Sequence, residues 1–408
     1  MMQCAAPDAD VIVVGAGPAG ATIARLLARA GVDVLVLDRA TFPRPKPCGE
    51  YLSPGALRLL HEMGVGERVE AVAGARLRGF VMHAYGRATM CGTFGTASGW
   101  QQAPPYGLGI GRRALDAELV ALAREAGARL LTDTRVTEVV RRDAAVAGVR
   151  ALRESREIAL HARLVVGADG VAGVVGRRLG LVDPRPRLRR FALVAHVAGL
   201  AGLTDYGEMH AGPVGYCGIA PLGAGVANVA MVLPAGRMAQ IGTRVADFFM
   251  ETLTAFEGIG SRLADARLLG PVQRTGPLAF RARRLAVNGA LLVGDAAAFY
   301  DPFTGQGIYK ALRSARLAAA VVVDALSADD MTQNRLRAYE RAYRREFRAV
   351  FAVEELVQRL LGHPALLCRA LRRLAEHPQM ADTLVGVTGD VLPPRRVLTP
   401  AFLLRLVM

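Results

Sequence analysis

The sequence predicts an α/β protein: a parallel, βαβ-type sheet interrupted by a strand-rich antiparallel insertion and followed by a helical C-terminal part. Three observations lead there. Residues 10–15, DVIVVG, form a β-branched run of the kind that a parallel strand covered on both faces shows, and a helix-forming stretch from Ala19 to Ala30, stopped by Gly31, leads to a second such run at Val32–Leu37. Residues 74–95 look like alternating strands of a different sheet, and residues 190–233 are strand-rich. From Asp330 onward the periodicity is helical and arginine-rich, broken at Pro364, Pro378 and the Pro393–Pro394 pair. Between these, Arg113–Ala126 and Arg237–Ala255 read as helices, ARLVVGAD and ALLVGDAAAF as buried strands, and a long helix starts near Gly307.

With 408 residues, 52% of them hydrophobic and 21% charged, the chain is long enough for two or three domains and has ample apolar surface to bury. Lys+Arg 51 against Asp+Glu 36 gives a formal net charge of +15, which raises anionic partners first. Only Lys46 and Lys310 are lysines, so the charge is nearly all arginine. Aromatic residues do not interleave with the basic runs, which argues against nucleic acid as a partner. Cys4, Cys48, Cys91, Cys217 and Cys368 are scattered, with no CxxC pair, and indicate neither a disulfide framework nor a zinc site. MMQCAAPDAD carries no basic n-region, so a cytoplasmic location is expected. The uncharged run Ala211–Gly236 holds six glycines and three prolines and reads as strands joined by turns rather than a membrane span. The apolar ending AFLLRLVM packs into a core or makes a peripheral membrane contact.

Gly15-Ala16-Gly17-Pro18-Ala19-Gly20 fits GxGxxG between the first strand and its helix, and Asp38 ends the second strand 23 residues after Gly15. Gly15 permits the tight turn, Gly17 lets the backbone approach a pyrophosphate, and Gly20 lets helix and strand pack closely. The helix N-terminus at Pro18 and Ala19 holds the negative charge, and Asp38 accepts from an adenosine ribose. The unit predicts a Rossmann-like, three-layer ββα dinucleotide domain and leaves FAD and NAD equal. Pro302, Gly305 and Gly307 lead into a second helix N-terminus, whose amides suit developing negative charge.

GADG at 167–170 and LLVGDAAAFYDPFTGQGIYKAL at 291–312, taken with the N-terminal unit, resemble the FAD-dependent family that includes the aromatic hydroxylases and the geranylgeranyl reductases. FPRPKPCGEYLSP at 42–54 and IGRRALDAEL at 110–119 add to the resemblance, which covers most of residues 9–325. It implies an FAD-binding domain from 1–73, 105–182 and 275–328, a substrate-binding domain from 74–104 and 183–274, and a helical region at 329–408. FAD is then held by the fingerprint, Asp38 and Arg39; by Cys48, Gly49, Arg112 and Val136; by Asp169 and Gly170; and by Gly294, Asp295, Pro302, Gly305, Gln306, Gly307 and Ile308. The family's serine within the GADG motif is Gly173 here.

No second GxGxxG follows a strand, so reducing equivalents for an apolar small-molecule substrate come from NAD(P)H visiting the flavin transiently, as the family's hydroxylases imply, or from another protein. Isoprenoid reductases carry an aromatic pair and a lysine in a strand such as 215–222. Here Tyr216 matches, but Ile219 and Leu222 take the other places. That departure favours a monooxygenase acting on an aromatic or polyketide-like molecule over a reductase or dehydrogenase of isoprenoid or acyl double bonds. Among proton-carrying residues His210 is preferred over His83 and His196, with Glu208 and Tyr216 comparable, because histidine titrates near neutrality. Cys48 is a site-lining candidate with a catalytic role, and Lys46 a contact to the cofactor region.

Overall fold

The computed structural model describes residues 7–100, 102–171, 173–183, 189–238 and 241–408; Cys4 lies outside them. The strand Ala9–Val14, buried except at Asp10, runs parallel between Val34–Leu37 and Arg156–Gly167. Ala290–Leu292 and Arg129–Leu131 extend this first sheet on either side, also in parallel. The 12-residue strand Arg156–Gly167 is long enough to serve two layers. Its C-terminal half lies in the parallel sheet, while its N-terminal half pairs antiparallel with Ala145–Arg153, which pairs in turn with Thr134–Arg142. Helices Pro18–Arg29, Arg112–Glu125 and Gly307–Ser327 form the helical layer. Strand C-termini and helix N-termini thus gather at one edge, where a ligand of a doubly wound sheet binds.

The second sheet runs Arg267–Leu268, Arg190–Ala198, Val226–Pro234, Gly215–Gly223, Tyr206–Gly212, Gly79–Ala84, Ala88–Thr93. Side chains alternate along a strand, so register decides which residues share a face. Cys217 pairs with His210 and Met231, and these belong to the face that packs on Phe249, Leu253, Phe256 and Ile259. Tyr216 pairs with Ala211 and Val232, and His196 with Asn228. These lie on the opposite face, turned toward the first sheet's ligand edge.

The helix expected over Arg237–Ala255 is two pieces, Ala235–Met238 and Val245–Leu253. Gly242 between them has φ +54, a left-handed conformation that ends a right-handed helix. Prolines open the later helices Pro364–Glu376, Pro378–Thr388 and Pro400–Val407 instead of merely breaking one, since the first helical position needs no N–H donor. The first two pack on Ala88–Thr93 through Leu367, Leu371, Leu374 and Val385 against Met82, Met90 and Phe94. Among the described residues no helix is long and apolar enough to cross a membrane.

Candidate functional site

The glycine turn has the geometry that its spacing predicts. Gly15 has φ +98, and a Cβ at Gly20 would lie 1.8 Å from the Gly15 carbonyl oxygen, so neither position admits a side chain. At Gly17 nothing crowds the backbone; the nearest atoms to a Cβ there are Nη2 of Arg44 at 3.7 Å and Nη2 of Arg112 at 3.9 Å. The Pro18–Arg29 helix starts with no side-chain cap, leaving its first N–H groups for an anion. Asp38, 7% exposed, accepts from Ala16 N at 2.8 Å and Ala40 N at 2.9 Å, so it ties down the turn while keeping lone pairs for a hydroxyl.

Three cations converge over this turn. Asp116, fully buried, holds Arg112 bidentately at 2.8 and 2.7 Å and Arg44 at 3.2 Å. Lys46 stands beside Gly170, and burial together with the neighbouring Arg112 charge pushes its ammonium below the usual lysine range. Arg44 also lies 3.8 Å from Asp38, and the Asp295 charge acts on Lys46; the three cations present their N–H donors over the turn where a diphosphate would sit. Arg39 is exposed just past Asp38, and Val136 is buried in the hairpin layer opposite Ala151. Asp169 accepts from Val175 N at 3.0 Å, while its Oδ1 is buried without a partner and burial raises its pKa. Gly173 matters here: a Cβ would sit 2.3 Å from that oxygen, so the missing side chain is what admits the carboxylate.

The far end of the edge is built by the loop before the Gly307–Ser327 helix. Its N-cap, Gln306, makes no capping bond, so these amides are free as well. Gly305, with φ +71, lies against the Tyr51 ring, and Gly294 N donates to Ser314 Oγ at 2.9 Å, with Asp295 next to it half-buried. Tyr216 Oη donates to Asp301 Oδ1 at 2.5 Å, and Arg190 reaches the other oxygen at 3.3 Å. Burial and the Asp301 charge push the Tyr216 hydroxyl well above its ordinary range.

Glu50 ties the two sheets together, and nothing local in the chain marks it beyond its place after Cys48 and Gly49. It is 4% exposed and sits at φ +52, a cost that non-glycine residues bear mainly at functional sites. It accepts from Arg112 N at 2.7 Å and Asn228 Nδ2 at 3.1 Å, and its Oε2 meets His196 Nε2 at 2.6 Å. The hydrogen bond to Glu50 raises the His196 pKa. Cys48, half-buried, lies beside Arg112 and accepts from Glu50 N at 3.4 Å.

The fold therefore places Cys48 and Gly49, through Glu50, beside the unfavoured His196 and sets Tyr216 on the same sheet face as His196, and it does not bring in His210. His210 lies on the opposite sheet face, stacked on His83 with ring centroids 4.5 Å apart, with Nε2 2.8 Å from Glu208. Arg262 grips both Glu208 oxygens at 2.6 and 2.9 Å. Burial would raise the Glu208 pKa, but His210 and Arg262 outweigh it and hold it down at about 2. His83, Glu208 and His210 have metal-ligand spacing, yet a guanidinium on both carboxylate oxygens leaves little for a cation. They act as a structural ion cluster.

Behind the loop, Asp390 accepts from Gln306 Nε2 and Ser53 Oγ, each at 2.6 Å. Asp390→Ala leaves both donors buried and unpaired and is expected to cost about 1–3 kcal/mol at mildly acidic pH, with Asp390→Asn costing less. Burial pushes the Asp390 carboxyl up to about 7. A raised carboxyl pKa favours the folded state below the unfolded-chain value and loses that contribution as pH rises through about 7. Thermal unfolding across this range is expected to show that decline in the native chain and not in Asp390→Asn.

Residues 8–352 match the family described as FAD binding domain. The chain belongs to that family. It is an FAD-dependent oxidoreductase by kinship, and the site fits the cofactor on its own evidence: a turn closed to side chains, an open Gly17 facing two guanidiniums, and two uncapped helix N-termini along one edge. A menaquinone reductase of Mycobacterium tuberculosis is 32% identical, with 77% of this chain and 76% of that one covered. Digeranylgeranylglycerophospholipid reductase 2 of Methanopyrus kandleri is 30% identical over 93% of both chains. A flavoprotein/dehydrogenase of Cytophaga hutchinsonii has the same fold, with a TM-score of 0.82 at 19% identity, covering 93% of this chain and 92% of that one.

Proposed function

We propose that the chain is an FAD-dependent reductase that saturates a carbon–carbon double bond in an isoprenoid-type, largely apolar substrate, with NAD(P)H as electron source. The observation that carries this reading is that the two reductase relatives, each matched over three-quarters or more of both chains, are named for molecules bearing polyisoprenoid chains. Bound FAD supplies hydride chemistry; saturation also needs a proton. On the sheet face turned to the ligand edge, Tyr216 is held too basic to act as an acid by burial and Asp301. The hydrogen bond to Glu50 raises the His196 pKa and so favours its protonated form. Its Nε2 is engaged by Glu50, which leaves Nδ1 to deliver the proton to the substrate. Ala192, Val194, Val232, Met209, Phe303 and Leu361 supply apolar surface on the same side.

Oxygen insertion drew support from the departures at Ile219 and Leu222. Ile219 packs in the core of the far face with Cys217 and Met231, so that departure does not touch the substrate side. The test is anaerobic incubation with NAD(P)H and either menaquinone or a geranylgeranyl lipid, read by mass spectrometry. Product heavier by two hydrogen atoms is expected. No reduced product anaerobically, together with oxygen-dependent hydroxylation of an apolar phenol, would falsify the reading in favour of a monooxygenase.

A further inference from the structure

Among the described residues five large apolar side chains are exposed, and three of them, Leu366, Leu404 and Met408, belong to one pair of packed C-terminal segments. Leu404, 56% exposed, and Met408, 68% exposed, stand one turn apart on Pro400–Val407 and its C-cap. Arg369 Nη2 donates to the main-chain oxygen of Met408 at 3.0 Å, and Arg373 Nε to that of Arg405 at 3.4 Å. These bonds lay the Pro364–Glu376 helix alongside. Leu366 is one turn before Arg369 on that helix, so its side chain and the Leu404–Met408 row share one edge of the pair.

The charge around this edge is mainly positive. Residues 362–408 contain Arg369, Arg372, Arg373, Arg395, Arg396 and Arg405 against Glu376, Asp382 and Asp390. Asp390 is buried, and Glu376 is paired with Arg373. Arg369, Arg372 and Arg405 are exposed. Exposed leucine and methionine among exposed arginines match a surface that is anionic outside and hydrocarbon within. A protein partner would more commonly be met by exposed Trp or Tyr anchors, which this edge lacks.

The patch also connects to the site. Leu361, at the end of the Gln333–Leu361 helix, packs both in the cluster holding Leu367, Leu371 and Leu406 and in the one holding Tyr216 and Phe303. We infer that the Leu366–Leu404–Met408 edge is a docking surface for anionic phospholipid bilayers, placing the apolar side of the site next to the membrane. It goes beyond the reductase reading, and its test needs no turnover.

The FAD-loaded protein is sedimented with vesicles of phosphatidylcholine alone and of phosphatidylcholine mixed with phosphatidylglycerol, across a salt series. Binding to the anionic vesicles that weakens with salt, and little to the neutral ones, is expected. Leu404→Ser with Met408→Ser, and separately Arg372→Gln with Arg405→Gln, are each expected to weaken it by roughly tenfold or more with FAD content unchanged. If the native protein stays in the supernatant with anionic vesicles, or both double variants sediment like it, the proposal is overturned, and an acidic protein partner becomes the better account of the patch. Anaerobic reduction of a detergent-dispersed substrate, measured on the same variants, is unaffected in either case and tests the reductase reading separately.

Discussion

Replacing His196 by glutamine is expected to lower turnover by about 10²–10⁴-fold, the contribution of a positioned general acid, with FAD content unchanged. The imidazole is held on the substrate face by a carboxylate that cannot move away. Glu50 is buried, and its other contacts, Arg112 N and Asn228 Nδ2, come from separate parts of the chain. The hydrogen bond to Glu50 raises the His196 pKa above the ordinary value. The protonated, active form is therefore full at low pH and is lost as pH rises through the raised value, which gives the rate an alkaline limb. The same sign holds for stability: the pair stabilises the fold below the ordinary histidine pKa and ceases to as pH passes the raised one. In His196→Gln the alkaline limb of kcat is expected to vanish, a signature that a purely structural role would not produce. Native-like kcat in that variant would assign the proton to another group. Glu50→Gln is expected to shift the limb to lower pH, because the amide no longer stabilises the imidazolium.

Gly20→Ala is expected to give a protein that loses FAD on dilution. The added carbon would lie 1.8 Å from a backbone oxygen, Gly15 O, so no side chain can swing aside. The helix must instead retreat from the turn, carrying its N–H groups away from the phosphate position. Overpacking of about 1–3 kcal/mol corresponds to roughly 5- to 150-fold weaker binding, measured by FAD titration of the stripped protein. Gly236→Ala, where a Cβ meets nothing within 4 Å, is the control and is expected to bind as the native chain does. Unchanged affinity in Gly20→Ala would mean that the turn is not the cofactor cradle.

The nucleotide half of the site was legible from the chain because its determinants are local. A glycine turn needs positive φ and missing Cβ atoms at fixed spacing, and Gly15, Gly17, Gly20 and Asp38 lie within one βαβ unit. The buried strands were legible too, as continuous apolar runs. The departure at Arg237–Ala255 came from Gly242, whose left-handed conformation a periodicity reading passes over.

The proton-carrying half was not legible, and His196 and His210 show why. Alternation along a strand says that neighbours point to opposite faces, but it does not say which face meets the other domain. That was decided by pairing register, Tyr216 with Val232 and Cys217 with Met231, and by the helix that covers the Cys217 side. Glu50 joins a histidine 146 residues away and an asparagine 178 residues away, and Ser53 joins an aspartate 337 residues away. Contacts of that separation leave no mark in local spacing. The sequence by itself determined the glycine turn that fits a dinucleotide, because backbone conformation is a short-range property. Only the tertiary structure decided which ionisable groups face it, because that depends on how distant segments are stacked and registered.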